Sequence, residues 1–524
     1  MAIFTDKNII RVVIALLIFG TLYRLYPIFA GQDALAQFFL TEDGYLMLTI
    51  ARNMAIGLGM SVSDGTIASN GVQPLATFLF AIPYVLSGGD KVSSLIGVHL
   101  ISVAVSVVGI FSVRALARMV LAPLDPRPLW PWLITCLWYL GPLLVLHSMN
   151  GLETGLYTVM VTITLVLFGN LLSKGQAASF GDRMLFGAAC GVTFLARNDA
   201  VFLLVPLFLI WAGFGLIVAR DSFGRVAGHL IPPGILSLVI ASPWLINNYV
   251  KFGSIVPVSG TAQALSGGLA KNATILPSKL FEHMFPMLPI PESMEPSMPV
   301  IVVSLAVVFS VAAVFLSGVL RRGSVARYVV ATYTAFAVIM SVYYGLYFGA
   351  GWFLSRYLAP VAPLLIIAMF YTALLITTRI TPKLVGGLMT GAALASLALS
   401  TALLLRYHVP GVKEQGHFQV TAWVDENIAP ETWIGAVQTG TLGYWHDRTI
   451  NLDGKVNPDA LNALLTEGNV VNYVLDSPAQ YLVDWWGIVT WITDPKPEHD
   501  ALRAEFEVIV DDPGRNLGAL KRTQ

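Results

Sequence analysis

Long apolar segments separated by short polar stretches recur through residues 1–405. A helix that crosses a bilayer needs about 20 mostly apolar residues, and on this criterion we predict about eleven membrane spans. They lie near residues 10–29, 92–113, 129–148, 152–173, 184–197, 200–219, 227–248, 299–320, 328–348, 356–378 and 384–405. The pattern therefore predicts a polytopic α-helical membrane protein.

One further apolar segment, residues 74–87, is too short for a comfortable crossing. If it only dips into the membrane, the clusters of basic residues between the spans fall on one side, as the positive-inside rule requires. These clusters are Lys7/Arg11, Arg114/Arg118/Arg127, Lys174/Arg183, Arg220/Arg225, Arg321/Arg322/Arg327 and Arg379/Lys383. We therefore predict a re-entrant or juxtamembrane helix at 74–87 and a cytoplasmic N-terminus that acts as an uncleaved signal anchor.

This topology places three regions on the outer side of the membrane. They are the first loop at 30–73, a long proline-rich loop at 249–298, and everything after residue 405. Irregular loops of such length are usually functional or mobile. The loop at 249–298 is either a lid over a site or a passive connector.

The pattern changes at Arg406, where charge rises and the apolar runs become short. Short β-type runs are predicted at 433–437, 449–452, 470–475, 488–492 and 506–510, with helices at 414–427, 459–466 and 498–505. We predict an α/β domain at 406–524, outside the transmembrane module at 1–405. Its role is either acceptor binding or capping, since it carries no catalytic signature.

Composition agrees with this architecture. The 524 residues are 56% hydrophobic and 12% charged, where a soluble domain carries about 25% charged residues. The formal net charge is zero, which argues against nucleic-acid binding. The two cysteines, Cys136 and Cys190, lie in apolar runs and are predicted to be small core residues.

Two adjacent acids, Glu42 and Asp43, follow the first span and precede an amphipathic helix. Leu46, Ile50 and Met54 share one face of that helix, which we expect to lie on the bilayer surface. A carboxylate at this boundary can act as the general base for an acceptor hydroxyl, and an inverting displacement needs one such base. The alternative is that both acids cap the helix.

Other polar residues stand at the ends of spans. Glu153 follows Asn150, and a carboxylate near membrane depth is costly unless it is paired or hydrated. Glu153 is a candidate for orienting the acceptor or tuning Asp43; capping of the next span is the alternative. Arg197 and Asp199 interrupt an apolar run, either as a structural ion pair or with Arg197 facing a lipid phosphate.

Further candidates are basic or aromatic. Arg356 can bind a phosphate through two nitrogens, and an interfacial anchor is the alternative. Arg52 and Lys251 are further cationic candidates, although Lys251 also fits a snorkelling side chain. His147 and Tyr357 complete the set expected to orient the acceptor, together with Asn150 and Asp199. A structural role is the alternative for His147, which stands alone near the outer end of a span.

Several motifs in order resemble the GT-C superfamily of membrane glycosyltransferases, over nearly the whole chain. Asp43 with Ile50-Ala51-Arg52, and Gln73-Pro74-Leu75, are similar to motifs of aminoarabinose transferases and protein O-mannosyltransferases, although glutamine replaces their lysine at 73. Other runs look more like bacterial arabinofuranosyltransferases. They are Asn150–Thr154, Leu195–Asp199, Pro243-Trp244 with Phe252–Pro257, and Asn451-Leu452-Asp453-Gly454.

The resemblance implies an inverting glycosyltransferase at the outer face of a bacterial inner membrane. Its donor would be a polyprenyl-phosphate-linked sugar, and its acceptor a glycan or a lipid of the cell envelope. Asp43 would be the catalytic base, and Glu153 falls where those families carry a second acidic residue. Arg52, Arg197, Arg356 and Lys251 are the candidate phosphate ligands.

No cofactor is expected, because arginines can stabilise a leaving monophosphate without a metal. The alternative is a divalent ion held by the oxygens of Glu42, Asp43 and Glu153.

Two other functions fit a membrane protein of this kind. A transporter or flippase of a lipid-linked saccharide would favour charges at the bilayer midplane and an internal repeat. Here the charged candidates cluster on one predicted face and no repeat is evident. A non-catalytic assembly protein, whose outer domain does the work, is the second alternative.

Overall fold

The computed structural model describes residues 6–348, 351–377, 382–407 and 417–523. The N-terminal part is helical apart from a small hairpin, β1 (Ser61–Val62) and β2 (Ile67–Ala68). Its helices are α1 (Asp6–Phe29), α2 (Gln32–Gln37), α3 (Glu42–Ala55), α4 (Pro74–Ser87), α5 (Lys91–Leu121), α6 (Leu129–Leu140), α7 (Pro142–Met149), α8 (Thr154–Lys174), α9 (Phe180–Ala196), α10 (Val201–Gly213), α11 (Phe223–Phe252), α12 (Val258–Leu265), α13 (Leu276–Met284), α14 (Met298–Arg321), α15 (Ala326–Val342), α16 (Leu354–Leu358), α17 (Ala362–Thr377) and α18 (Pro382–Tyr407).

The protein is a polytopic helical membrane protein, as predicted. In the described residues, eight helices are long and apolar enough to cross a membrane, and a ninth span results if α6 and α7 are counted together. These two helices bend by 64° at Gly141, so the predicted third span is broken. The predicted short fifth span is α9, with 17 residues. Arg379, used in the topology argument, and residues 414–416, the start of a predicted helix, lie outside the described residues.

Helix α4 has the bounds predicted for the short apolar segment, Pro74–Ser87. Proline occupies its first turn, where the missing N–H costs nothing, and Gly88 ends it in the left-handed conformation. Its 14 residues are fewer than a crossing helix needs. Large apolar side chains, including Val85 and Leu86, remain exposed on one side, which suits contact with lipid. Whether α4 crosses the membrane stays a prediction.

Helix α3 does not lie on the bilayer surface, so that expectation was wrong. Leu46 and Ile50 are buried, and Met54 packs against the same cluster. The stripe is covered by α4 and by the C-terminal domain, whose Tyr444 contacts Tyr45 with ring centroids 4.9 Å apart. An amphipathic pattern shows that one face of a helix packs against apolar groups. It does not show whether those groups belong to lipid or to protein.

The C-terminal domain is α/β. Its elements are α19 (Phe418–Asn427), β3 (Ile434–Ala436), α20 (Gly440–Trp445), β4 (Thr449–Asn451), α21 (Pro458–Thr466), α22 (Val471–Asp476), β5 (Tyr481–Asp484), α23 (Thr490–Thr493), α24 (Asp500–Glu505), β6 (Phe506–Asp512) and β7 (Leu517–Arg522). The sheet order is β4-β3-β5-β7-β6, with β3 parallel to β4 and β5, and β7 antiparallel to β5 and β6.

Two predicted strands of this domain are helical. Residues 470–475 form most of α22, and 488–492 form a helical turn with α23. Val470, Val471 and Val474 are the buried positions of the first run, and their spacing is that of a helix face. A short run rich in valine and isoleucine does not distinguish a strand from a buried helix.

The C-terminal domain docks on α3, α4 and the first loop through polar contacts. Arg52 Nη1 and Lys91 Nζ each lie 3.1 Å from Asp447 Oδ1. The Tyr84 and Tyr444 hydroxyls are 2.9 Å apart, and Ser63 Oγ donates to the Thr449 carbonyl at 2.6 Å. This interface fixes the position of the domain over one end of the membrane helices.

Candidate functional site

A cavity of about 370 Å³ lies between the membrane helices and the C-terminal domain. It brings together residues from α3, the α7–α8 and α9–α10 junctions, the segment before and within α12, the end of α15, α16 and the C-terminal domain. Its polar and aromatic lining is Asp43, Gln73, Glu153, Arg197, Asn198, Asp199, Ser259, Gln263, Phe202, Tyr343, Tyr344, Phe348, Arg356, Tyr357 and Lys455. Part of the 249–298 loop therefore lines the cavity.

Asp43 faces this cavity from the first turn of α3 and is held by two cations. Arg356 Nη1 donates to Asp43 Oδ2 at 2.8 Å, and Lys455 Nζ lies 3.8 Å from Oδ1. Burial alone would raise the pKa of Asp43, but Arg356 and Lys455 outweigh it and bring the pKa below its usual value. Asp43 is therefore a carboxylate anion with both oxygens engaged.

The start of α3 is fixed in position by Asn150. The Thr41 backbone N–H and hydroxyl both donate to the Asn150 carbonyl oxygen, at 3.2 and 3.1 Å. Thr41 also caps α3, because its Oγ1 accepts from the Gly44 N–H at 3.2 Å. Asn150 thus positions the helix that carries Asp43 and does not itself line the cavity.

Gly44→Ala is expected to displace Asp43. A Cβ at position 44 would meet the Asn150 carbonyl oxygen, so α3 must shift away from the α7–α8 junction. Overpacking of this kind costs about 1–3 kcal/mol. A shift of about 1 Å at a reacting group lowers a rate by about a hundredfold. Melting temperature measures the overpacking, and the activity of the purified protein measures the displacement of Asp43.

Gly213→Ala in α10 is the matched control, because a Cβ there meets nothing within 4 Å. Equal behaviour of the two alanine variants would contradict the proposed contact.

Glu42, the neighbouring acid, turns away from the cavity. Its Oε1 accepts a hydrogen bond from the Gly440 N–H of the C-terminal domain. Burial, and then the charge of Asp43, raise the pKa of Glu42 to about 8. The two adjacent acids therefore occupy different environments, and only Asp43 faces the cavity.

Arg197 is the centre of a second buried cluster. Its Nε lies 2.9 Å from Asp199 Oδ2, and its Nη1 lies 3.4 Å from Glu153 Oε1. Arg197 Nη2 donates to the Tyr344 hydroxyl at 3.3 Å, and that hydroxyl donates to Asp199 Oδ2 at 2.7 Å. The guanidinium lies 4.5 Å from the centroid of the Tyr357 ring, which stacks on Tyr344. This cluster is an ion-pair network and also a wall of the cavity.

Other predicted residues lie elsewhere. Arg52 donates to the Gly89 carbonyl at 2.8 Å and to Asp447, so it docks the C-terminal domain instead of lining the cavity. Lys251 is exposed in the last turn of α11 and does not line the cavity. The structure therefore gives no support to a phosphate role for Arg52 or Lys251.

His147 does not line the cavity but contacts the residue that precedes Arg356. Its Nε2 lies 3.1 Å from the Ser355 hydroxyl, and its ring stacks on His283. Since Ser355 precedes Arg356, this contact steadies the turn that presents the guanidinium.

The three carboxylates considered for a divalent ion are separately engaged. Glu42 contacts Gly440, Asp43 contacts Arg356, and Glu153 contacts Arg197. Within the described ranges, no group of three or more His, Cys, Asp or Glu side chains is placed to hold a metal ion.

Several residues that line the cavity were not predicted as site residues, among them Gln73, Ser259, Gln263, Tyr343, Tyr344 and Lys455. Lys455 comes from the C-terminal domain, and Gln73 Oε1 accepts a hydrogen bond from the Asn198 N–H at 3.3 Å. The turn Asn451-Leu452-Asp453-Gly454 was noted as a motif, and Lys455 follows it directly. Its position directly after this motif was the signal in the sequence that could have identified Lys455.

Comparisons with known proteins support the fold. ArnT from Cupriavidus metallidurans, bound to undecaprenyl phosphate, superposes with a TM-score of 0.60 at 14% identity over 97% of both chains. The archaeal oligosaccharyltransferase AglB from Archaeoglobus fulgidus, in complex with an inhibitory peptide and a dolichol-phosphate, gives 0.56 at 13% identity over 98% of this chain and 74% of AglB. The chain therefore has the fold that ArnT and AglB share.

Sequence comparison adds one match. Residues 407–517 match a domain of unknown function, DUF8728, within the region predicted as the C-terminal domain. No curated protein matches the chain.

Proposed function

We propose that the protein is an inverting glycosyltransferase that moves a sugar from a polyprenyl-phosphate donor to a hydroxyl of a glycan or lipid acceptor. The observation that carries the proposal is the contact of Asp43 with Arg356 inside a cavity between membrane helices and a polar domain. A base and a phosphate-binding cation are thereby adjacent. The undecaprenyl phosphate bound by ArnT supports this class of donor.

In the proposed reaction, Asp43 accepts the proton of the acceptor hydroxyl as that oxygen attacks the anomeric carbon. The bond between this carbon and the phosphate oxygen breaks on the opposite face, so the configuration inverts. Arg356 stabilises the charge that develops on the departing phosphate. Because Arg356 and Lys455 lower its pKa, Asp43 enters the reaction as the anion that can accept this proton.

The Arg197 cluster supports the acceptor side of the cavity. Glu153 and Asp199 present carboxylate oxygens beside the Tyr357 ring, a combination suited to sugar hydroxyls and to the apolar face of a sugar ring. We assign Glu153 to orienting the acceptor. Arg197 pairs with both carboxylates and holds them in place, instead of binding the phosphate.

We place the enzyme in a bacterial inner membrane, with the N-terminus in the cytoplasm and the cavity on the outer side. The distribution of basic residues supports this orientation.

Loss of the protein is expected to cause its donor to accumulate. Mass spectrometry of lipid extracts from a deletion strain should show a polyprenyl-phosphate-linked sugar that wild-type cells hold at lower levels. Expression of the wild-type chain should reverse the increase, and expression of Asp43→Asn should not. An unchanged profile of lipid-linked sugars in the deletion strain would contradict the proposed function.

A further inference from the structure

Lys455 belongs to the C-terminal domain, yet its side chain lines the cavity. It follows β4 on a tight turn, in which Asp453 Oδ1 accepts the Lys455 N–H at 2.9 Å and Gly454 adopts φ +76°. The Lys455 carbonyl packs against Gly71 of the first loop, where a Cβ would clash with it. The backbone of this lysine is therefore fixed against the membrane domain.

The Lys455 ammonium is only partly neutralised by its neighbours. Its Nζ lies 3.1 Å from Asp453 Oδ2, which is hydrogen-bond distance. The distance to Asp43 Oδ1 is 3.8 Å, close enough for an ion pair but too long for a hydrogen bond. The lysine side chain is 22% exposed. A lysine ammonium has three N–H donors, so Lys455 can also donate a hydrogen bond to a further anion in the cavity that it lines.

Lys455 and Arg356 converge on one corner of the cavity. Both cations lie over the ring of Phe353, the ammonium at 5.6 Å and the guanidinium at 4.5 Å from its centroid. Both also contact Asp43, from opposite oxygens. When Asp43 turns to an acceptor hydroxyl, Arg356 loses this carboxylate partner and Lys455 keeps only Asp453. The corner then carries more positive charge over the Phe353 ring, an arrangement that fits a phosphate attached to a lipid.

We propose that Lys455 binds the donor phosphate together with Arg356, so that the C-terminal domain supplies a donor-binding residue across the domain boundary. This inference rests on the proposed function and extends it to a region in which the sequence showed no catalytic signature. The ammonium acts as a point charge on the phosphate, while the guanidinium supplies directed hydrogen bonds.

Binding of undecaprenyl phosphate to the purified full chain in nanodiscs tests the proposal, with undecaprenol as the uncharged probe. We expect Lys455→Met to weaken undecaprenyl phosphate binding at least tenfold and to leave undecaprenol binding unchanged. Lys455→Arg, which keeps the charge, should remain within about threefold of wild type. Lys496→Met, at an exposed lysine of the same domain, is the matched control and should bind as wild type does.

The outcomes separate the two proposals. If Lys455→Met binds undecaprenyl phosphate as tightly as wild type, Lys455 is not a phosphate ligand and this inference is overturned while the proposed function stands. If Lys455→Met loses affinity for both probes equally, its role is structural, which also overturns the inference. Wild-type protein that does not prefer undecaprenyl phosphate to undecaprenol would overturn both proposals.

Discussion

Asp43→Asn is expected to lower the rate of sugar transfer by about three orders of magnitude, in the range that general bases contribute. The amide keeps the shape of the carboxylate but cannot accept the proton of the acceptor hydroxyl. Arg356 loses its carboxylate partner and Lys455 loses one of its two, so a donor phosphate should bind at least as tightly as in wild type. Transfer is measured with the lipid-linked sugar identified from the deletion strain, and affinity with undecaprenyl phosphate.

Glu42→Gln is the matched comparison, since it makes the same change from acid to amide at the adjacent position. Its amide oxygen can still accept the Gly440 N–H, so we expect transfer within about threefold of wild type. Full activity in Asp43→Asn would remove Asp43 from the mechanism. A large loss in Glu42→Gln with none in Asp43→Asn would move the base to position 42.

Arg197→Met is expected to destabilise the folded protein by about 3–5 kcal/mol, the cost of removing one partner from a buried ion pair. Arg197 is buried, with 4% of its surface exposed. Its loss leaves Glu153 and Asp199, in the wall of the cavity, without their cationic partner. A fall in melting temperature of the purified protein and in the yield of monodisperse protein reports the change.

Arg515→Met provides the comparison for a surface pair. Arg515 contacts Asp512 with its side chain 65% exposed, and such exposed pairs contribute little to stability. A melting temperature for Arg197→Met equal to that of Arg515→Met would show that the buried network does not stabilise the fold.

The membrane architecture and Asp43 were accessible from the sequence because both depend on local patterns. Apolar length predicts spanning helices, and an acid pair between a span and an amphipathic helix places a carboxylate at the boundary. Glu153, Arg197, Asp199 and Arg356 were likewise found at the ends of spans, and the structure brings them to one cavity.

Arg52 and Lys455 show what local sequence patterns cannot predict. Arg52 lies on the same helix as Asp43 but pairs with Asp447, hundreds of residues away in the chain. Lys455 reaches the cavity because a docked domain presents it. Each position depends on long-range packing between two domains, which neither hydropathy nor residue spacing encodes. Tyr343 and Tyr344, which follow membrane helix α15, were missed for another reason: an aromatic side chain in an apolar run carries no signal of a site.

The C-terminal domain holds both ends of α3: Gly440 contacts Glu42 at the first turn, and Asp447 contacts Arg52 at the last. A rigid-body departure of that domain would therefore pull on the helix that carries Asp43 and carry Lys455 away from it. Substrate exchange by lifting the domain would dismantle the catalytic arrangement at every turnover. We therefore expect substrates to enter and leave the cavity while the domain stays docked.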